Sequence, residues 1–133
     1  MENYRDCLII DDDLDDQEIF IMCVNKIGAS IKCSTANNGV EAITLLESNP
    51  GYTPAFIFLD MNMPKMNGFE CLKQLKKSEL YKHIPVVILS TSNRREDIER
   101  CRELGAASYF TKPTSFAELF NKLQNILKNG ILR

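Results

Sequence analysis

Short apolar runs repeatedly break off at a polar side chain, and between them the hydrophobic spacing changes from that of strands to that of helices. Leu8-Ile9-Ile10 leads into Asp11-Asp12, and Ala55-Phe56-Ile57-Phe58-Leu59 into Asp60. Val86-Val87-Ile88-Leu89 leads into Ser90, and the shorter Ser108-Tyr109-Phe110-Thr111 delivers Lys112. Unbroken apolar runs of this length suit strands buried on both faces, which belong to parallel sheets covered by helices. Parallel neighbours need crossover connections, and the helical segments between the runs provide them. The expected fold class is therefore α/β, with a five-stranded parallel sheet flanked by five helices. Open sheets of this kind build ligand sites at the C-terminal edges of their strands. One edge would then gather three carboxylates, a hydroxyl and an amine.

The segments between the runs carry helix signals. Asp13 can cap a helix with Asp15 and Asp16 in its first turn, where acids suit the helix dipole. Ile19, Met22, Cys23 and Ile27 form its expected apolar face, and Gly28 its C-cap. Ile31 to Thr35 reads as a short strand. Asn37-Asn38-Gly39 opens a helix closed by Asn49-Pro50-Gly51. Beyond the loop from Met61 to Asn67, a helix from Gly68 to Lys77 turns Cys71, Leu72 and Leu75 inward. Ser92 or Asn93 can cap the next helix, which Gly105 stops, and a last helix begins near Ser115. No repeat, linker or low-complexity segment interrupts residues 1–133, so a single domain without an output domain is expected, its output a surface of the domain itself.

Charge and composition narrow the function. With 44% hydrophobic and 26% charged residues, the chain has the balance of a soluble globular domain. A formal net charge of -2 argues against nucleic acid as the main partner, since a duplex binder needs a basic face. No apolar stretch approaches the ~20 residues that span a bilayer, and the polar start Met1 to Asp6 is unlike a signal peptide. A cytoplasmic location without membrane attachment is expected. Cys7, Cys23, Cys33, Cys71 and Cys101 are odd in number, widely spaced and free of C-x-x-C pairs. They read as small core hydrophobes, not as a disulfide framework or zinc site.

The candidate site consists of Asp11, Asp12, Asp60, Ser90 and Lys112. Carboxylates meeting at a sheet edge repel one another, and a hard divalent cation removes that cost. Mg2+ fits, because it binds through one or two carboxylates and leaves room for water and a phosphate oxygen. Asn62 could add its backbone carbonyl. The acids from Asp11 to Asp16 also suit a helix N-terminus, and that reading is retained for Asp13, Asp15 and Asp16. Lys112 could pair with a carboxylate at rest and with a phosphoryl oxygen after modification. A cis Lys112-Pro113 bond would aim its side chain into the cluster. Ser90 could donate to a phosphoryl oxygen or, equally, satisfy backbone groups at the strand end. Tyr109 is a candidate moving part. His83, the sole histidine, precedes a strand in a polar stretch, so no Ser-His-Asp or Cys-His constellation can be assembled.

The sequence resembles the receiver domain of bacterial two-component response regulators over nearly its whole length. The resemblance lies in Leu8 to Asp12, Phe58 to Gly68, Pro85 to Ser90, Gly105-Ala106 and Tyr109 to Pro113, five segments in the family's order. The Asp11 to Asp16 run is most similar to small stand-alone, chemotaxis-regulator-like members, some of which pair with phytochrome-type histidine kinases. The resemblance implies a flavodoxin-like, doubly wound fold with strand order 2-1-3-4-5. It makes Asp60 the phosphoacceptor for a sensor histidine kinase. Asp12, Asp60 and the Asn62 carbonyl would hold Mg2+ directly, with Asp11 acting through water. Lys112 and Ser90 would contact the phosphoryl oxygens, and Tyr109 would turn inward as Ser90 moves. Thr91 stands where the family prefers a very small residue.

The implied function is a phosphorylation-activated signalling switch, not an enzyme acting on an external substrate, although self-phosphorylation and self-dephosphorylation with Mg2+ are expected. Its output would pass to a downstream effector or a histidine phosphotransfer protein. A homodimer could form on the last helix and strand face, with Arg94, Arg95, Arg100, Lys122, Ile131 and Leu132 as contacts. Two other classes compete. One is a Mg2+-dependent aspartyl phosphohydrolase, against which Asn62 counts, since such enzymes commonly carry an acid two residues after the nucleophile. The other is an unphosphorylated scaffold.

Overall fold

The computed structural model describes residues 6–28, 30–61 and 67–129. Each apolar run becomes a strand: β1 (Cys7–Ile10), β3 (Phe56–Asp60), β4 (Val86–Ser90) and β5 (Ser108–Thr111). The short β2 (Cys33–Ala36) completes a parallel sheet of order β2-β1-β3-β4-β5. Four helices form the crossovers, α1 (Leu14–Ile27), α2 (Gly39–Ser48), α3 (Gly68–Lys77) and α4 (Arg95–Glu103), and α5 (Phe116–Asn129) packs back on the sheet after the last strand. The chain first winds outward to β2, then returns to the other side of β1. The reversal lies between β1 and β3, at whose C-terminal ends such folds open a crevice.

Period-two alternation splits the core between the two faces. On one, Leu8, Ile10, Ile57, Leu59, Val86 and Ile88 pack with residues of α2, α3 and α4, among them Leu46, Leu72 and Leu75. On the other, Cys7, Ile9, Phe56, Phe58, Val87 and Leu89 meet α1 and α5 through Phe20, Val24, Leu123 and Leu127. The Phe20 and Phe58 rings meet edge-on at 4.9 Å. Burying each such side chain contributes roughly 1.5–3 kcal/mol against the entropy of ordering the chain. Asp13, Asn38 and Asn67 cap α1, α2 and α3 by accepting from backbone N–H groups of the first turn. Gly105 follows α4 at φ +104°, a conformation that side chains resist.

Several local expectations need correction. The buried face of α1 is Gln17, Phe20, Cys23 and Val24, whereas Ile19 and Met22 are 41% and 53% exposed. The helix is rotated by about one residue from its expected setting, because Phe20 is the side chain that fills the space over Phe58. β2 begins at Cys33, later than expected, since the Ile31 N–H turns back to the Gly28 carbonyl. Neither Ser92 nor Asn93 occupies the N-cap of α4. Arg94 does, without a side-chain cap, while the Ser92 hydroxyl braces the turn by accepting from the Arg94 N–H and donating to Asp97. No peptide bond among the described residues is cis, so Lys112-Pro113 is trans. The strand end alone suffices to aim Lys112.

Cys7, Cys23, Cys71 and Cys101 are buried and Cys33 is half-buried, all as free thiols. Burial pushes the Cys71 thiol up to about 12 and that of Cys101 up to about 11, far from a reactive thiolate. Among the described residues, no helix is long and apolar enough to cross a membrane.

Candidate functional site

The ends of β1 and β3 bring the acids together. Asp60 is the last residue of β3 and Asp11 the first beyond β1, each only 3% exposed, while Asp12 faces solvent. Carboxylate oxygens of Asp11, Asp12 and Asp60 lie within 4.8 Å of one another. The Asp13 N–H donates to Asp11 Oδ1 at 3.0 Å and fixes its rotamer. Behind Asp60, α3 starts hard against the strand end. A Cβ on Gly68 would stand 2.6 Å from Met61 Cα and 3.0 Å from the Asp60 carbonyl oxygen, so only glycine fits there.

Lys112 reaches across from the end of β5. Its Nζ lies 3.0 Å from Asp16 Oδ2, 3.3 Å from Asp11 Oδ2 and 3.6 Å from Asp60 Oδ1. Burial by itself would lower the pKa of this amine, but the Asp16 hydrogen bond and the charges of Asp11 and Asp60 outweigh it and hold the pKa above the usual lysine range. Asp11 moves the other way from an ordinary salt-bridged acid. Its desolvation outweighs both the Asp13 N–H and Lys112, and its pKa lies above the usual carboxylate range. Among the described residues, Lys112 stands within ion-pair distance of three carboxylates at once. The donor set is all oxygen, two of its members are fixed in the protein and the third is open to water, so the residues fit a hard divalent cation.

The remaining predicted residues sit on the β4 side. Ser90, 2% exposed, ends β4 beside β3, and its Oγ accepts from the Ser92 N–H at 3.1 Å. Tyr109 is half-buried and donates from its hydroxyl to the Ser92 carbonyl at 2.7 Å. Ser90 and Tyr109 are therefore joined through Ser92, in the loop that opens α4. Thr91 and His83 are exposed. Asn62, Ile131 and Leu132 lie outside the described residues. Of the cations expected to form a partner contact, Arg94 pairs with Asp97, Arg100 stacks on Phe69 at 3.9 Å and Lys122 on Phe110 at 4.6 Å, while Arg95 is exposed.

Two residues of the site escaped the sequence reading. Asp16, assigned only to the helix N-terminus, is the nearest carboxylate to Lys112. Gln17 is buried, and its Nε2 donates to the Asp11 carbonyl at 2.6 Å and to Asn37 Oδ1 at 2.8 Å, with the Ala36 carbonyl at 3.4 Å. It ties the acidic corner to the end of β2. A polar side chain three residues before Phe20, on the buried face of α1, was the available signal. Next to Lys112, a cleft of about 210 Å³ runs between α1 and the start of α5, with Ile19, Phe116 and Leu119 in its walls.

Comparison with known proteins gives one answer. A family model for the response regulator receiver domain matches residues 7–124. The chain is 37% identical over 125 residues to the transcriptional regulatory protein CpxR homolog of Haemophilus influenzae, covering 92% of this chain and 50% of that protein. It therefore spans about half the length of that relative. Among solved structures, it matches the phosphorylated cyanobacterial phytochrome response regulator RcpA at a TM-score of 0.86 and 26% identity, over 95% of both chains. The Mn2+-bound form of response regulator Rcp1 matches at a TM-score of 0.79 and 28% identity, over 97% of this chain and 99% of that one.

Proposed function

The chain belongs to the response regulator receiver family, and from that premise we propose that it is a phosphorylation-activated switch whose phosphoacceptor is Asp60. The observation that carries this reading is the meeting of Asp11, Asp12, Asp60 and Lys112 at one sheet edge. An Asp60 carboxylate oxygen attacks the phosphorus of a phosphohistidine on a sensor histidine kinase. The P–N bond breaks, its electron pair stays with the imidazole, and an acyl phosphate remains on Asp60. Asp11, Asp12 and Asp60 would hold the divalent cation, Mg2+ in this reading, with Asn62 completing the set. The bound ion would neutralise charge on the transferring phosphoryl group. Lys112 pairs with phosphoryl oxygens, and Ser90 turns its hydroxyl from the Ser92 N–H toward them. Positioning and charge compensation are the protein's main contributions to such a transfer.

Output follows from that last movement. Ser90 and Tyr109 both bond to Ser92, so displacement of one draws on the other and on the loop before α4. A face built from α4, β5 and α5 then changes its population of conformers and is read by a downstream effector, a histidine phosphotransfer protein or a second copy of the chain. The kinase must cover the mouth of the site. Leu14 at 64%, Met22 at 53% and Phe116 at 38% exposure, on α1 and at the head of α5, suit that contact. Neither nucleic acid nor membrane enters this reading, and a cytoplasmic location, where the kinase would present its phosphohistidine, is proposed with it. An aspartyl phosphohydrolase and an unphosphorylated scaffold are not favoured, because the receiver match runs through nearly all of the chain.

Incubation with acetyl phosphate and Mg2+, followed by intact mass measurement, tests the proposal. One added phosphoryl group is expected on the wild type, and none on Asp60→Asn or in the presence of a chelator. No gain in the wild type, or an equal gain in Asp60→Asn, overturns it.

A further inference from the structure

Lys112 carries three N–H donors, and three carboxylates stand around it at unequal distances. Asp16 is nearest at 3.0 Å, Asp11 follows at 3.3 Å, and Asp60 is farthest at 3.6 Å. Asp11 and Asp60 are buried, whereas the Asp16 side chain is 42% exposed and lies at the rim. The ammonium is therefore drawn outward, away from the residue it must serve after phosphoryl transfer. An aspartyl phosphate adds three strong acceptor oxygens and roughly one further negative charge at Asp60, and a donor of Lys112 has to turn toward them. Capping explains none of this. Asp13 caps α1 through the N–H groups of Asp15 and Asp16, which leaves the Asp16 side chain free to point at the lysine.

We propose that Asp16 is a positioning residue that holds Lys112 at the rim in the resting state and releases it when Asp60 is phosphorylated. The proposal rests on Asp60 being the phosphoacceptor and adds the residue that sets the balance between the two states. At rest, Asp16 keeps the amine from closing on Asp60, so the carboxylates stay available to a divalent cation. In the modified state the same pull opposes the contact of Lys112 with the phosphoryl oxygens. Removing it therefore acts in opposite directions on the two forms. A half-exposed pair of this kind is worth a factor of about two to five.

Two equilibria test this. One is the affinity of the unmodified chain for Mg2+, by calorimetry. The other is its affinity for beryllofluoride at saturating Mg2+, followed by amide NMR as a mimic of the phosphoryl group. In Asp16→Asn, Mg2+ binding is expected to weaken about two- to fivefold and beryllofluoride binding to strengthen by a similar factor. Asp16→Glu, whose carboxylate still reaches Lys112, should return both toward wild type. Asp15→Asn removes the same charge from the same helical turn without touching Lys112, and should not reproduce the pair of opposite changes. Weakening of both equilibria, as a structural lesion produces, overturns the assignment, and so does identity of Asp16→Asn with Asp15→Asn. A wild type that neither accepts phosphoryl from acetyl phosphate nor binds beryllofluoride instead overturns the phosphoacceptor reading itself.

Discussion

At the scale of single residues, the site is an imbalance of charge held in place by burial. Lys112 faces Asp11 and Asp60, both almost wholly buried. Taking away one member of a buried cluster leaves the rest uncompensated, which is costly. Lys112→Ala is therefore expected to lower the stability of the metal-free chain by about 2–3 kcal/mol, less than for a fully buried pair because the lysine is partly exposed. Mg2+ should restore most of the loss. Urea titrations with a chelator and with Mg2+ check both statements, and equal stability of variant and wild type in chelator would contradict them. Asp11, Asp12, Asp60 and Lys112 were legible because each closes an apolar run, and a strand end has a known place in an open parallel sheet. The partnership of Asp16 was not legible, since it joins groups 96 positions apart and no local pattern records it.

At the scale of elements, helix registers and close approaches decide which side chains count. The apolar residues of α1 are dense enough to allow two settings, and packing over Phe58 chose the one that buries Phe20, Val24 and Gln17. The boundaries of α3, by contrast, were read correctly, because Asn67 caps it and Gly68 admits it against β3. Gly68→Ala would push a methyl into the Met61 backbone. A loss of about 1–3 kcal/mol is expected, together with slower phosphorylation from acetyl phosphate, because Met61 directly follows Asp60, the proposed phosphoacceptor. The thiols of α3 and α4 add a pH dependence. Cys71 is raised to about 12 and Cys101 to about 11 by burial, so the folded chain keeps protons that the unfolded chain releases from 9.0 upward. Stability should fall as pH rises through that window. Urea midpoints measured at about pH 8 and about pH 10.5 test it, and Cys71→Ala should flatten the decline.

At the scale of the whole molecule, the strand order puts the reversal of winding beside Asp11 and Asp60. The apolar runs predicted strands but were silent on which neighbours pair. The order came from the five segments that resemble the receiver family, because pairing is a property of the assembled sheet and not of any one strand. A cation that binds only this assembled edge must stabilise the entire fold, by about 2.7 kcal/mol at a hundredfold excess over its Kd. Thermal scans should show a Tm rise of several degrees with Mg2+, absent in Asp60→Asn, and no rise in the wild type would refute a metal-binding edge. The surroundings of that edge are unequal on its two sides. Toward β2, Gln17 fastens the Asp11 backbone to Ala36 and Asn37 with a buried amide. Toward β5, the comparable links run through hydroxyl groups of Ser90 and Tyr109 that can rotate. One flank is riveted and the other hinged, so under the proposed switching a disturbance at the centre is expected to travel toward the hinged side.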